Sequence, residues 1–520
     1  MDCHFSSHLQ AIFGILVFLF FLIFLRRRNT VTSKKLAPKV PGAWPIIGHL
    51  RLLNGTDKNV PFARTLGAFA DKYGPIFTLR MGMYPYLIIS NWEAANDCLT
   101  THDKDFAARP TSMAGQSIGY KYARFPYSNF GPYYNKVRKL ALTQILSSTK
   151  LEKLRHIRVV ELEDSIKDLY SLTQVNKNEV NMTRWFHQLT LNIIVKTICG
   201  KRYNNIEEDE EAKRFRKAFK GIMYVVGQIV LNDVVPFPLF KYFDFQGHIK
   251  LMKNIYKDLD SILQGWLEDH MKKKDVNNED QDAIDALLRA THVNEFKCYG
   301  YSQATVIKST VLSLILDGSD TTAVHLIWIM SLLLNNPRAM KQAQEEIDTK
   351  VGKSRWVEES DIKNLVYLHA IVKETLRLYP PVPLLLPHEA VQDCKVAGYD
   401  IPKGTRLYIN AWKIHRDPNI WSEPEKFMPE RFLTSKRSVN AHGQYFEFIP
   451  FGSGRRSCPG INFATLVTHL TFARLLQGFD FSKSSNTPID MTEGVGITLP
   501  KVNRVEVLVT PRLSSKFYVF

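Results

Sequence analysis

The decapeptide Phe451-Gly-Ser-Gly-Arg-Arg-Ser-Cys-Pro-Gly460 gathers, within ten positions of a 520-residue chain, the residue types that build a metal-binding loop. Gly454 and Gly460 let the backbone turn tightly and approach a flat ligand. Arg456 can hold an anionic group, and Cys458, placed before Pro459, presents a soft thiolate on a loop. Such a thiolate can be an axial ligand of haem iron, donating electron density that favours O–O cleavage. A lone buried cysteine is ordinarily an inert core residue, so the neighbours carry the assignment. They fit F-x-x-G-x-R-x-C-x-G at all five fixed positions, a match that chance gives in on the order of one in ten thousand chains of this length.

A second cluster interrupts an apolar run. Leu312 to Leu334 reads as a long helix, and Asp317-Gly-Ser-Asp-Thr-Thr322 puts two carboxylates inside it, either to handle something polar or as a hydrated kink. A third is Glu374-Thr-Leu-Arg377, whose i,i+3 spacing places both charges on one helix face before Pro380 and Pro381 end the helix. Alone, that pair fits an exposed surface ion pair equally well. Phe427-Met-Pro-Glu-Arg-Phe432 follows at a distance of about fifty residues.

In this order the motifs resemble those of the cytochrome P450 family, the haem-thiolate monooxygenases, and the resemblance runs from the apolar N-terminus to the last strands. It implies a mainly α fold with small β-sheets, preceded by one N-terminal transmembrane helix. It implies haem b (iron protoporphyrin IX) with Cys458 on the iron and Phe451 and Arg456 beside it, and electrons from NADPH through a partner reductase. Glu374, Arg377 and Arg431 are then a buried ionic network that organises the haem-binding core without acting in catalysis, and breaking it would strand a buried charge. The family pattern [AG]-G-x-[DE]-T-T is met at Gly318, Asp320, Thr321 and Thr322, while Asp317 replaces the small residue. By resemblance Thr321 hydrogen-bonds dioxygen and Asp320 relays protons. Asp317 either faces away or tunes the proton supply. Where relatives carry W-x-x-x-R for a haem propionate, this chain has Tyr134-Asn-Lys-Val-Arg138, with a hydroxyl in place of an indole N–H. His388 occupies a second propionate position, with a surface histidine as the competing reading.

The elements that must position these residues are legible in outline. Residues 76 to 90 read as two strands around a turn. Leu140 to Leu172, Phe215 to Val226, Asp258 to Lys273 and Ala304 to Leu334 show helical spacing, and Asn336-Pro337 reads as a helix start. Short strand-like runs return at Arg406 to Ile409 and at Val505, Val507 and Val509, suggesting small sheets instead of a large doubly wound core. Composition agrees: 45% hydrophobic, 12% aromatic and 23% charged residues exclude a disordered, collagen-like or disulfide-stapled chain. Six cysteines stand singly, without a CxxC pair, as in a reducing compartment. The sequons at Asn54 and Asn181 are accordingly read as chance matches.

Ala11 to Leu25 is unbroken apolar sequence and, with Leu9 and Gln10, just reaches the ~17 residues needed to cross a bilayer. No Lys or Arg precedes it, whereas Arg26, Arg27 and Arg28 follow, so it reads as an uncleaved anchor with the C-terminal side in the cytosol. The organisation expected is a membrane anchor at 1–28, a Pro-rich linker at 29–50 and a catalytic domain at 51–520, on the endoplasmic reticulum membrane facing the cytosol. The net charge of +17 suits an anionic membrane or an acidic reductase. No basic-aromatic module supports nucleic-acid binding, and none is expected.

The family's substrate-recognition regions fall on Arg109 to Tyr127, Gly221 to Phe240, Leu312 to Thr322, Val382 to Pro387 and Gly494 to Leu499, which are mostly apolar. Asp233 either pairs with a substrate amine, caps a helix or faces water. Finer stretches, among them Glu345-Glu-Ile-Asp-Thr-Lys-Val-Gly352 and Arg355-Trp-Val-Glu-Glu-Ser-Asp361, resemble plant microsomal members, most of all family 82. That branch implies a small lipophilic specialised metabolite, such as an alkaloid of the nicotine or tropane type oxidised at the carbon next to nitrogen, by N-demethylation, hydroxylation or ring closure. Terpenoid or phenylpropanoid hydroxylation stays open. So does a reductase-independent haem-thiolate isomerase or dehydratase, although such enzymes often lose the oxygen-side threonine kept here. A haem sensor or carrier would not need the Asp320-Thr321 pair.

Overall fold

Apolar residues recurring every three or four positions become helices in the computed structural model, which describes residues 35–53, 60–174, 179–203, 209–235, 244–272 and 282–519, together with Gly14. Apart from Gly14, the expected anchor at 1–28 lies outside the described residues. Among the described residues no helix is long and apolar enough to cross a membrane. The principal helices are α1 (Phe62–Tyr73), α2 (Pro132–Ala141), α3 (Arg155–Gln174), α4 (Met182–Cys199), α5 (Glu210–Val226), α6 (His248–Lys272), α7 (Gln303–Asn335), α8 (Pro337–Lys350), α9 (Val366–Leu378) and α10 (Ile461–Gly478). Local chemistry sets their ends. Asn181 caps α4 by accepting from the Arg184 N–H at 2.9 Å, which gives that residue a structural role. Pro337 opens α8 at the expected first position.

One expected helix divides. The run from Leu140 to Leu172 passes from α2 into a wider turn at Leu142–Leu146, then breaks at Ser147, which is extended (φ −66, ψ 150). The Ser147 hydroxyl accepts from the Lys150 N–H at 3.3 Å and starts a new short helix, Ser148–Lys153, before α3. Apolar periodicity survives such a break, because a serine cap changes the axis without changing which residues are apolar.

Three small sheets accompany the helices: a four-stranded one in the order β1-β2-β7-β4, a three-stranded one in the order β3-β9-β8, and the hairpin β5-β6. In chain order the strands are β1 (Ile76–Met81), β2 (Tyr84–Ile89), β3 (Glu179–Asn181), β4 (His388–Glu389), β5 (Cys394–Val396), β6 (Tyr399–Ile401), β7 (Arg406–Ile409), β8 (Phe479–Ser482) and β9 (Glu506–Pro511). β2 and β7 run parallel, with Tyr86 opposite Arg406, and β4 pairs with β7, with His388 opposite Leu407. Residues 35–50 of the expected linker lie along this sheet: Thr78 donates to the Pro38 carbonyl at 2.7 Å, and Val40 donates to Thr78 at 3.0 Å. α7 runs through the middle of the molecule, buried along most of its length, and its Trp328 indole donates to the Leu499 carbonyl at 2.8 Å.

Behind α7 the charges of α9 are enclosed. Glu374 and Arg377 are both 0% exposed. The Arg377 guanidinium donates to both Glu374 oxygens at 2.7 and 2.8 Å, and to the carbonyls of His415 and Pro424. Arg431 adds Nε at 3.1 Å, and the Met428 N–H donates at 2.9 Å, so one carboxylate organises two guanidiniums and a loop. The network reaches the cysteine loop through His415, whose Nε2 accepts from the Ile449 N–H at 3.0 Å. Glu374→Gln keeps the shape and leaves two buried guanidiniums without their carboxylate, so a loss of about 3–5 kcal/mol is expected in denaturant-induced unfolding. A loss below about 1 kcal/mol would show that the network is not holding this core.

Candidate active site

A cavity of about 880 Å³ is lined from every expected recognition region, and Cys458, Phe451, Arg456, Tyr134, Arg138, His388, Asp320 and Thr321 all reach its wall. Glu374, Arg377 and Arg431 do not; they lie behind it. Additional walls come from Pro61, Phe62, Met81 and Tyr86, which no motif marked.

The Cys458 loop is shaped by two backbone facts. Gly454 has φ +66, and a side chain there would meet Asp103 Oδ1 and the Leu99 carbonyl at 2.7 Å, so this turn needs glycine. The Cys458 N–H donates to the Phe451 carbonyl at 2.9 Å, closing the loop on itself. Gly460 has an ordinary φ of −93 and serves as the start of α10. Burial pushes the Cys458 thiol up, while the Gly460 N–H and the Arg138 charge oppose this by favouring thiolate.

Four cationic or imidazole groups converge beside this loop. Arg138 donates to the Ser457 carbonyl at 2.7 Å, and the Tyr134 hydroxyl donates to the Arg455 carbonyl at 3.1 Å, so the tyrosine takes the structural hydrogen bond with its own donor. Arg456 donates to the Ala107 and Ser128 carbonyls at 2.8 and 2.7 Å, with its plane 4.1 Å from the Tyr134 ring. His388 is buried, and its Nδ1 lies 2.7 Å from the Phe106 carbonyl. Arg109 completes the set, donating to the Leu386 and Pro387 carbonyls at 3.0 and 2.7 Å. Sequence reasoning placed Arg109 only at the edge of a recognition region; apart from the Pro126 carbonyl at 3.2 Å, its partners lie some 280 positions away and leave no local signal.

None of Arg109, Arg138 and Arg456 has a carboxylate partner among the described residues. Burial, then their mutual repulsion, bring Arg109 down to about 9, and burial brings Arg456 down to about 10. Burial, then Arg109, hold His388 well below the ordinary imidazole range. Buried cations whose contacts are carbonyls demand an anion. A sulfur on a glycine-bounded loop, an apolar cavity and an anion-seeking cluster are the donor set that a flat, dicarboxylate metal macrocycle requires, so the residues fit haem.

The facing wall is α7. The Thr321 hydroxyl donates to the Asp317 carbonyl at 2.6 Å. Asp320 accepts from the Thr498 hydroxyl at 3.1 Å; burial pushes its carboxyl up, and the nearby His187 imidazole opposes this. His187, on α4, is a second residue that the sequence did not single out. Asp317 lines the cavity and does not stand alone, because the Arg124 guanidinium holds it at 3.2 Å. Asp233 also reaches the cavity, but accepts the Met113 N–H at 2.7 Å, and burial raises it to about 6. One turn beyond Thr321, His325 is buried with neither ring nitrogen partnered among the described residues.

A Cytochrome P450 family profile matches residues 38–506. A nicotine N-demethylase of Nicotiana tomentosiformis is 51% identical over 516 residues, which cover 98% of this chain and 99% of that protein. Vinorine hydroxylase of Rauvolfia serpentina is 44% identical over 525 residues (98% and 99% covered). Xanthotoxin 5-hydroxylase of Arabidopsis thaliana is 44% identical over 519 residues (97% and 98% covered). Among solved structures, a zebra fish cytochrome P450 with abiraterone has a TM-score of 0.72 at 26% identity, covering 87% of this chain and all of that one.

Burial lowers His325 to about 3, against an ordinary value near 6.5. The unfolded chain therefore takes up a proton here that the folded chain refuses, and stability falls as pH drops below about 6.5. Replacing the imidazole by an apolar group removes that proton. His325→Leu is expected to flatten the stability profile between pH 6 and 4 by about 1.4 kcal/mol per pH unit relative to the parent, measured by denaturant unfolding. Equal slopes in the two chains would contradict the buried neutral imidazole.

Proposed function

The chain belongs to the cytochrome P450 family, in its family 82 group, and from that premise we propose that this monooxygenase oxidises a small lipophilic alkaloid at a carbon next to nitrogen. The class is a haem-thiolate enzyme that draws NADPH-derived electrons through a reductase. The observation that carries the finer reading is the joint presence, on one apolar cavity, of the Cys458 loop and the Asp320-Thr321 pair, in a chain 51% identical to a nicotine N-demethylase.

Haem bound here would supply the activation of dioxygen that no amino-acid side chain provides. Cys458 would hold the iron, its thiolate stabilised by the Gly460 N–H and Arg138. Arg109, Arg138, Arg456 and His388 would receive the propionates, with Tyr134 bracing Arg456 from its ring face. Thr321 can turn its hydroxyl from the Asp317 carbonyl into the cavity and offer a donor there. Asp320, with its proton affinity raised by burial and linked to His187 and Thr498, can pass protons toward that hydroxyl. Apolar walls from α5, α7 and the loop Val382 to Pro387 exclude water from the reacting carbon.

For an N-methyl amine the balance is one O₂, one NADPH and one proton consumed, one water and one NADP⁺ formed, and one oxygen inserted into a methyl C–H bond. The resulting N-hydroxymethyl group collapses to the secondary amine and formaldehyde. Hydroxylation at another carbon is the second reading, favoured by the vinorine and xanthotoxin hydroxylases at 44% identity.

Residues 1–28 anchor the chain in the endoplasmic reticulum membrane, 29–50 join the anchor to the body, and 51–520 form the catalytic domain on the cytosolic side, where the basic surface meets an acidic flavoprotein reductase. What supports this is the apolar run followed by three arginines, Arg26 to Arg28.

Reconstitution with a plant NADPH reductase and nicotine is expected to release formaldehyde in step with NADPH use; oxidation confined to uncharged terpenoids or phenylpropanoids would contradict the alkaloid reading. Thr321→Ala is expected to keep consuming NADPH while product falls at least about tenfold and hydrogen peroxide accumulates. Turnover that stays coupled would show that another group delivers the protons.

A further inference from the structure

We propose that the Asp317 carboxylate is the cation anchor of the cavity, binding a protonated tertiary amine of the substrate, and that Arg124 is the positioning residue that aims it. This anchor presupposes the alkaloid reading above and names the chemistry by which the cavity would recognise it.

A carboxylate at this point of α7 is a departure from the family pattern, which keeps a small residue there. Its surroundings are otherwise closed: Leu316, Ser319 and Asp320 are buried on the same helix. Asp317 is not, and its side chain is 48% accessible while that of Arg124 is 2% accessible. The surface so exposed opens on the cavity that both residues line. A pair formed only to satisfy a core arginine would bury the carboxylate with it.

The contact geometry leaves Asp317 unsaturated. Both of its oxygens meet a single nitrogen, Nη2 of Arg124, at 3.2 and 3.4 Å, in place of a two-nitrogen fork. Arg124 is fixed elsewhere, since its Nε donates to the Ser313 hydroxyl at 3.3 Å and its plane lies 5.4 Å from the Tyr127 ring. A carboxylate has about four lone-pair sites, and one nitrogen leaves most of them to a second donor. Lying on a cavity deep inside the molecule, where solvation is poor, the Asp317 carboxyl is raised even against the pull of Arg124, so a further cation would stabilise its charged form.

The other acidic groups of the cavity are engaged differently. Asp233 is held by the Met113 N–H beside Arg406, and Asp320 by Thr498 beside His187. Asp317 lies one helical turn before Thr321, about 6 Å along the axis. An ammonium nitrogen bound to Asp317 holds its own methyl and ring carbons one bond away, on the side where Thr321 meets the cavity. Anchoring the nitrogen thus selects the neighbouring carbon as the one oxidised.

The test is calorimetric binding to the full-length holoprotein of nicotine, whose pyrrolidine nitrogen is protonated, and of cotinine, its uncharged lactam. The parent is expected to prefer nicotine at least about tenfold, and Asp317→Asn to bring the two within about twofold by weakening nicotine alone. Asp317→Glu should restore part of the preference. Should Asp317→Asn fail to fold with Arg124 unpaired, the double variant Asp317→Asn with Arg124→Gln buries no unpaired charge and is expected to show the same loss. Retention of the preference in either neutral variant would overturn the proposal, as would its absence from the parent for both nicotine and a second N-methyl amine. A preference that depends on Asp317 without any oxidation next to nitrogen would leave the anchor standing and remove the reaction assigned above.

Discussion

One carboxylate, Glu374, fixes the geometry on which the cysteine loop depends. It is enclosed completely, and two guanidiniums and a backbone N–H converge on it. Such a group is intolerable in a protein interior unless every partner is in place, so the segments carrying Arg377, Arg431 and Met428 have one arrangement in common. Through Arg377 that arrangement includes the His415 carbonyl, and through the His415 ring the Ile449 N–H, two residues before Phe451. The loop that presents Cys458 is thus attached to this fully enclosed ionic unit.

The cavity in front of that unit is divided by charge. Cations without carboxylates surround the Cys458 end, and carboxylates on α7 face the opposite side. The first set calls for an anionic, flat cofactor. In the function proposed above, the second supplies protons through Asp320 and Thr321, and a cation site at Asp317. Helix α7 serves both, since four residues bring the anchor and the hydroxyl onto the same wall.

What the sequence made legible was whatever depends on local spacing. Glu374 and Arg377 lie on one helix face at i,i+3, Gly454 marks a turn that only glycine tolerates, and Asp320 precedes Thr321 in a helix that had to be apolar; each is found where that spacing puts it. The strands at 76–90 and 406–409 were equally legible by alternation. Arg109 and Arg124 escaped, because an arginine's meaning here is set by carbonyls or a carboxylate nearly 200 or more positions away. His187 escaped for the same reason, the carboxyl near it being Asp320 on another helix, and His325 because nothing in the local sequence marks a buried imidazole without partners. The broken helix after Leu140 escaped because a serine cap at Ser147 competes with a helical pattern that the apolar residues still obey. Tyr134 was legible as a departure and intelligible only in space, where its hydroxyl donates to the Arg455 carbonyl.

Everything proposed for the cavity requires that Cys458, held by this network, bind haem iron as a thiolate. The most direct measurement is the absorption spectrum of the reduced, carbon-monoxide-bound protein, recorded beside that of Cys458→Ser. A strongly red-shifted thiolate band in the parent, absent from the variant, is the expected result. A histidine-like band in the parent, or a thiolate band that survives in the variant, would contradict the assignment and with it the reading of the cavity as a monooxygenase site.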